Sequence, residues 1–193
     1  MNNILKLGIS TVLLVGSMAM PTEAAVNVSP QSEQSVVSQS IPQPIETVKT
    51  VPTYNIVINE AEAIALAKMA WGEARGVGDT GIAATMWCVL NRVDSTGYGF
   101  GKSIIHVITF PYQFLGYRAS NPVDDHIYNI AVDVLTRWQM EKQGASPEEV
   151  GRVLPKKYKW FYGDGKVNHF KDAYRNANIW DWSLPSPYEV NNE

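Results

Sequence analysis

One carboxylate, Glu73, lies within Trp71-Gly72-Glu73-Ala74-Arg75-Gly76-Val77-Gly78, at the end of an otherwise apolar stretch. Its surroundings suit proton transfer. At roughly 100° per residue, Leu66, Ala70 and Glu73 fall within about 40° of one another, which aligns the carboxylate with the apolar stripe of a helix. Gly76 and Gly78 are residues that supply positive φ where helices end, so Glu73 sits at the negative end of the helix dipole. Both effects favour the protonated acid. The dipole is worth about 0.3 to 1 kcal/mol, under one pKa unit, whereas burial against a group such as Trp71 raises a carboxyl pKa by several units, so desolvation is the larger cause. A carboxylic acid held neutral at about pH 6 to 7 is a general acid, and breaking a glycosidic bond needs a proton on the leaving oxygen. The same residues also fit a glutamate at a frayed helix end, solvated or paired with Arg75.

A second group of candidates is Tyr112, Gln113 and Phe114 in Pro111-Tyr112-Gln113-Phe114-Leu115-Gly116-Tyr117. The segment is aromatic, broken by glycine and unsuited to a long helix. Aromatic rings stack on sugar faces, while an amide bonds hydroxyls or an N-acetyl group; a packed turn with a satisfied Gln113 is the alternative. His106, His126 and His169 show no i, i+4 spacing, so no metal site is expected. No phosphate loop, nucleophile elbow or dinucleotide fingerprint occurs, and no cofactor is implied. Asp164, in Gly163-Asp164-Gly165, is read as a turn residue rather than a substrate or Ca²⁺ ligand. Cys88, the only cysteine, lies in the apolar run Met86-Trp87-Cys88-Val89-Leu90 and reads as an inert core thiol.

The elements that must hold these residues are mostly helical. Asn59 with Glu62 three residues on predicts a capped helix from Glu60 to Trp71 or just beyond. Tyr54 to Ile58 forms a short extended lead-in. A second helix runs from a cap at Asp79 or Thr80 to Arg92, with Ile82, Met86, Val89 and Val93 as its core face. A glycine loop follows, then a short helix, Ile104 to Thr109, capped by Ser103 and stopped by Pro111. The longest helix starts at Asn121-Pro122, carries the stripe Ile127, Ala131, Val134 and Trp138, and ends before Gly144. Ser146-Pro147-Glu148-Glu149 opens a further short helix. Tyr158 to Tyr162 and Val167 to Phe170 form a hairpin about the Gly163 to Lys166 turn, and Asn178 to Pro185 packs irregularly on the body. The expected class is α+β, mainly α, with a small β-hairpin.

The chain has 193 residues, 45% apolar and 18% charged, enough for one modest domain with accessory segments. A net charge of −3 gives no electrostatic reason for a nucleic-acid partner. Residues 1–25 read as a secretory signal peptide: a short basic start, the apolar run Leu7 to Met20, and small residues at Ala24-Ala25. The run is short for a transmembrane span of about 20 residues, and membrane attachment follows only if the segment stays uncleaved. Residues 26–53, rich in Val, Ser, Gln, Pro and Thr, read as a disordered linker. Residues 54–193 form the domain, expected to act as a monomer outside the cytoplasm.

The run Trp71-Gly72-Glu73-Ala74-Arg75-Gly76, with Gly81-Ile82-Ala83-Ala84 and Val89-Leu90-Asn91-Arg92-Val93, resembles the signature of bacterial cell-wall hydrolases related to spore cortex-lytic enzymes. Tyr112-Gln113-Phe114 is similar to a further element of that family, and Trp160-Phe161-Tyr162 more loosely so. The resemblance implies a lysozyme-like domain acting on peptidoglycan glycan strands, as a lytic transglycosylase or a muramidase, with Glu73 as the catalytic acid. It implies Gln113, and more distantly Tyr162, as substrate contacts. The chain lacks the peptidoglycan-binding repeat of many spore enzymes, and its Gly163-Asp164-Gly165 hairpin and Trp180-Asp181-Trp182 tail are not general features of the family. No second carboxylate stands out, although Asp79 and Asp94 are near in sequence. A single acid fits a lytic transglycosylase better than a two-carboxylate muramidase. A noncatalytic glycan-binding module is the reading from a different class.

Overall fold

The computed structural model describes residues 52–97 and 99–189. The expected signal segment and the linker as far as residue 51 lie outside these residues. The domain has five helices, α1 (Glu60–Ala74), α2 (Gly78–Val93), α3 (Ile104–Thr109), α4 (Asp125–Lys142) and α5 (Pro147–Val150). One antiparallel pair completes it, β1 (Trp160–Gly163) and β2 (Asn168–Lys171). This is the α+β, mainly α class expected.

The helix α1 starts where its cap demands, with the Asn59 carbonyl oxygen of the side chain accepting from Ala61 N and Glu62 N at 3.0 and 3.4 Å. It ends at Ala74, and of the two glycines expected to turn the chain, Gly78 rather than Gly76 adopts positive φ, at +75°.

Two expectations for α2 do not hold. Neither Asp79 nor Thr80 caps it: the helix begins at Gly78 with no side-chain cap, because Asp79 is turned to His126 and Thr80 shares a hydrogen bond with Ser186. Nor does α2 have one core face. Every residue from Gly81 to Arg92 is buried, because α1, α3 and α4 all pack against it. Small residues at Ala83 and Ala84 permit that close packing, and the buried Thr85, Asn91 and Arg92 are hydrogen-bonded, while the Trp87 indole N–H takes no partner among the described residues. Thr85 donates to Gly81 O, and Asn91 donates to the carbonyls of Pro155 and Tyr158. Trp87 is fully buried here, and truncating it to alanine would cost about 3 to 5 kcal/mol. Cys88 is buried beside it, and burial pushes its thiol up, as an inert core thiol requires.

The α3 bounds and the Ser103 cap are those expected, with Ser103 Oγ accepting from His106 N. The start of α4 is three residues later than expected. Asp124 supplies the cap by accepting from Ile127 N, while the Asn121 side chain serves elsewhere. The lead-in before α1 is held on α4 by two glutamines one turn apart. Gln139 and Gln143 each accept from a backbone N–H and donate to the carbonyl of the same residue, Val57 and Asn55, at 2.7 to 2.9 Å. Four hydrogen bonds thus imitate a strand ladder with side-chain amides.

The hairpin pairs Phe161 with Phe170 and Tyr162 with His169. Its turn is fixed by Asp164, which accepts from Lys166 N, Val167 N and the His169 ring. Those bonds hold its carboxyl well below the usual carboxylate range. Asn168 and Phe170 alternate inward and are buried. The tail then lies along β2, with Trp180 N donating to Phe170 O and Ile179 bridging Lys171.

Candidate active site

Glu73 occupies the last turn of α1, where three segments close on it. The first is the loop after α3: Gly116 N donates to Glu73 Oε1 at 2.5 Å. This contact requires two glycines. A Cβ on Gly72 would stand 2.0 Å from Gly116 O, and one on Gly116 would stand 2.5 Å from Gly72 O, so any side chain at either position would drive the backbones apart. Asn121 fastens the arrangement by donating to Gly116 O and Lys68 O, both at 2.9 Å. The second segment is β2, whose buried Asn168 donates to Glu73 O and to Thr85 Oγ1 on α2. The third is α2, through Arg92.

Arginines surround the acid without bonding it. Arg75 turns back along its own helix, donating to Trp71 O at 3.0 Å with its guanidinium 4.3 Å from the Trp71 ring. The pairing of Arg75 with Glu73 is therefore not made. Arg92, itself buried, donates to Lys159 O at 2.6 Å and Gln113 Oε1 at 2.8 Å between the rings of Phe100 and Phe114. Arg118 donates to the carbonyls of Leu115 and Tyr117. Burial is the largest influence on Glu73 and raises its pKa; the Gly116 hydrogen bond, Arg92 and Arg118 oppose it without reversing it.

Glu73 lines an open cleft of about 350 Å³ between the end of α1 and the hairpin, whose wall includes Gly163, Gly165, Val167 and Asn168. Glu73 is the single carboxylate among its lining residues. Asp79 is bonded to His126 at 2.8 Å, and Asp94 to Lys142 and the Trp138 indole, so both are engaged elsewhere. Among the described residues no group of three His, Cys, Asp or Glu side chains could hold a metal ion.

The other expected site residues separate. Gln113 has its carbonyl oxygen fixed by Arg92, and its N–H groups take no partner among the described residues. Tyr112 is 90% exposed at φ +64°, beside a second depression of about 540 Å³ walled by Phe110, Leu115 and Arg118. Phe114 is buried against Phe161 and Arg92 and also lines that depression. Its place between an arginine and a hairpin ring makes it part of the support for Gln113. Tyr162 is half exposed and stacked on His169 with ring centroids 4.9 Å apart, and no hydrogen bond joins it to Glu73.

Gly116, Asn121, Asn168 and Arg92 were not singled out from the sequence as parts of this site. A glycine inside a helix pattern, Gly72, and an inward-facing asparagine in a strand, Asn168, are the signals that point to a close backbone approach and a buried polar partner. No family model, curated protein or solved structure matches the chain. No helix among the described residues is long and apolar enough to cross a membrane.

Proposed function

We propose that the domain cleaves the β-1,4 bond between N-acetylmuramic acid and N-acetylglucosamine in peptidoglycan, as a lytic transglycosylase with Glu73 as its one catalytic carboxyl. The observation that carries this reading is a carboxyl whose pKa burial raises, on a residue that lines an open cleft with no second carboxylate among its lining residues. The resemblance of Trp71 to Gly76 to the cell-wall hydrolase signature supplies the substrate class. The reading of residues 1–25 as a signal segment supports work outside the cytoplasm.

The step balances with one group. Protonated Glu73 gives its proton to the bridging oxygen as the bond from C1 to that oxygen breaks. The resulting carboxylate takes the proton of the muramic 6-hydroxyl, whose oxygen closes onto C1 and leaves a 1,6-anhydro end. Glu73 finishes protonated and no water is consumed. Gly116 N–H fixes the carboxyl so that it need not reorganise, and the side-chain amide hydrogens of Gln113, unpartnered among the described residues, suit the carbonyl of an N-acetyl group.

The test is mass spectrometry of muropeptides released from purified peptidoglycan by the full chain, with Glu73→Gln alongside. Products lighter than the reducing sugar by one water, absent with the variant, are expected. Reducing muramic ends would instead mean hydrolysis, and retained glycan binding without release would mean a binding module.

A further inference from the structure

We infer that a groove adjoining the Glu73 cleft, walled by Trp182 and Glu189 of the C-terminal tail, binds a further sugar of the same glycan strand. The identity of the ligand rests on the reading of Glu73 given above. The groove, about 310 Å³, shares Val77, Val167 and Asn168 with the Glu73 cleft, so the two adjoin along that wall. A polymer whose cleaved bond lies at Glu73 extends beyond a single cleft, and this groove is an adjoining continuation.

The tail is built to present Trp182 there. Upstream, Trp180 is buried and its backbone N–H donates to Phe170 O at 2.8 Å. Downstream, Ser186 is bonded to Thr80, and the Tyr188 hydroxyl donates to Asp133 at 2.6 Å. Between these anchors the chain turns a corner at Trp182 with φ +59°, a conformation that bulky residues rarely adopt, spanned by a hydrogen bond from Ser183 N to Asp181 Oδ1. The corner leaves Trp182 37% exposed while Trp180, two residues earlier, is 8% exposed. Trp182 is steadied by a T-shaped contact with buried Phe170. Glu189 makes no ion pair among the described residues.

The chemistry of the wall selects the sugar over the peptide part of peptidoglycan. A partly open indole offers an apolar face to ring C–H groups, and a carboxylate accepts hydroxyl hydrogens. No Lys or Arg lines the groove, so nothing there would neutralise a peptide carboxylate.

The experiment measures calorimetric binding of short and long β-1,4-linked N-acetylglucosamine oligomers to full-length chain carrying Glu73→Gln, alone and with Trp182→Ala, Trp182→Phe or Glu189→Gln. Wild-type release from peptidoglycan is measured in parallel. The long oligomer is expected to bind more tightly, and Trp182→Ala to weaken it by about tenfold while barely changing the short one. Trp182→Phe should recover most of the loss, which a merely structural tail would not predict. Equal weakening of both lengths, equal loss with alanine and phenylalanine, or no length preference overturns the inference. Glu73-dependent release without a Trp182-dependent length preference sinks the groove and leaves the cleavage reading standing. No release, with that preference intact, sinks the cleavage reading and leaves the groove.

Discussion

Glu73 and Glu141 occupy the same kind of position, each in the last turn of a long helix with guanidinium groups close by. Their outcomes are opposite. Glu141 is gripped by Arg152 through Nε and Nη2 at 3.0 and 3.1 Å, with Lys156 at 3.2 Å, and Arg152 also lies 4.0 Å over the Trp87 ring. Around Glu73, the guanidiniums of Arg75, Arg92 and Arg118 are all directed at carbonyls or at Gln113, and the carboxyl receives one backbone N–H. The two carboxylates therefore differ here in where neighbouring cations direct their donors. Glu141 is held by ion pairs, whereas desolvation prevails at Glu73.

The sharpest way to break this contrast is at the acid itself. Glu73→Gln should lower turnover of peptidoglycan by about 10²- to 10⁴-fold, the range of a lost general acid, without unfolding the domain. The corresponding change at the other site, Arg152→Met, should leave turnover per folded molecule unchanged and cost about 3 kcal/mol in a urea titration, because it leaves Glu141 only Lys156 and removes the donors to Asn91 Oδ1 and Leu154 O. If Arg152→Met slowed turnover and left stability alone, the distinction between the two carboxylates would be lost. Gly116→Ala should come next. Its Cβ collides with Gly72 O, and a displacement approaching 1 Å at the carboxyl is expected to cost up to about 10²-fold in activity.

The smallest effect is the one with a sign to check. Burial raises the folded-state pKa of Glu73 above its ordinary value of 4.5, so the folded protein holds that proton more tightly than the unfolded chain. Its stabilising contribution is complete below the ordinary value and is lost as pH rises through the raised one. Glu73→Gln should therefore flatten the fall in urea midpoint across that window and be no less stable than wild type at neutral pH. A wild-type midpoint that rises through the same window would contradict the desolvated acid. The activity of the wild type should fall over the same interval as the acid loses its proton.

Caps and periodicity made the helices legible: Asn59, Ser103 and Ser146 each cap the helix assigned to them from sequence. The hairpin was legible from its aromatic run and glycine turn. What sequence could not convey was α2 buried on all sides, because its polar residues find partners in segments 64 to 67 positions away. The same holds at the site. Glu73 and the cause of its shift were readable from one short stretch, but Gly116 and Asn168 meet it across separations of 43 and 95 residues. The burial of Phe114 was not legible, because an aromatic residue beside a glutamine looks alike in sequence whether it faces a ligand or the core.

Those separations also bear on how the molecule assembles. A peptide spanning α1 alone would leave its glutamate in water, since the groups that enclose it come from the loop before α4 and from β2. The tightened grip on the proton belongs to the last contacts made rather than to the helix that carries the residue. In a refolding experiment between the two pKa values, proton uptake by Glu73 should trail helix formation and coincide with the closing of these distant contacts. The proton is then a clock for the moment at which the chain becomes chemically competent.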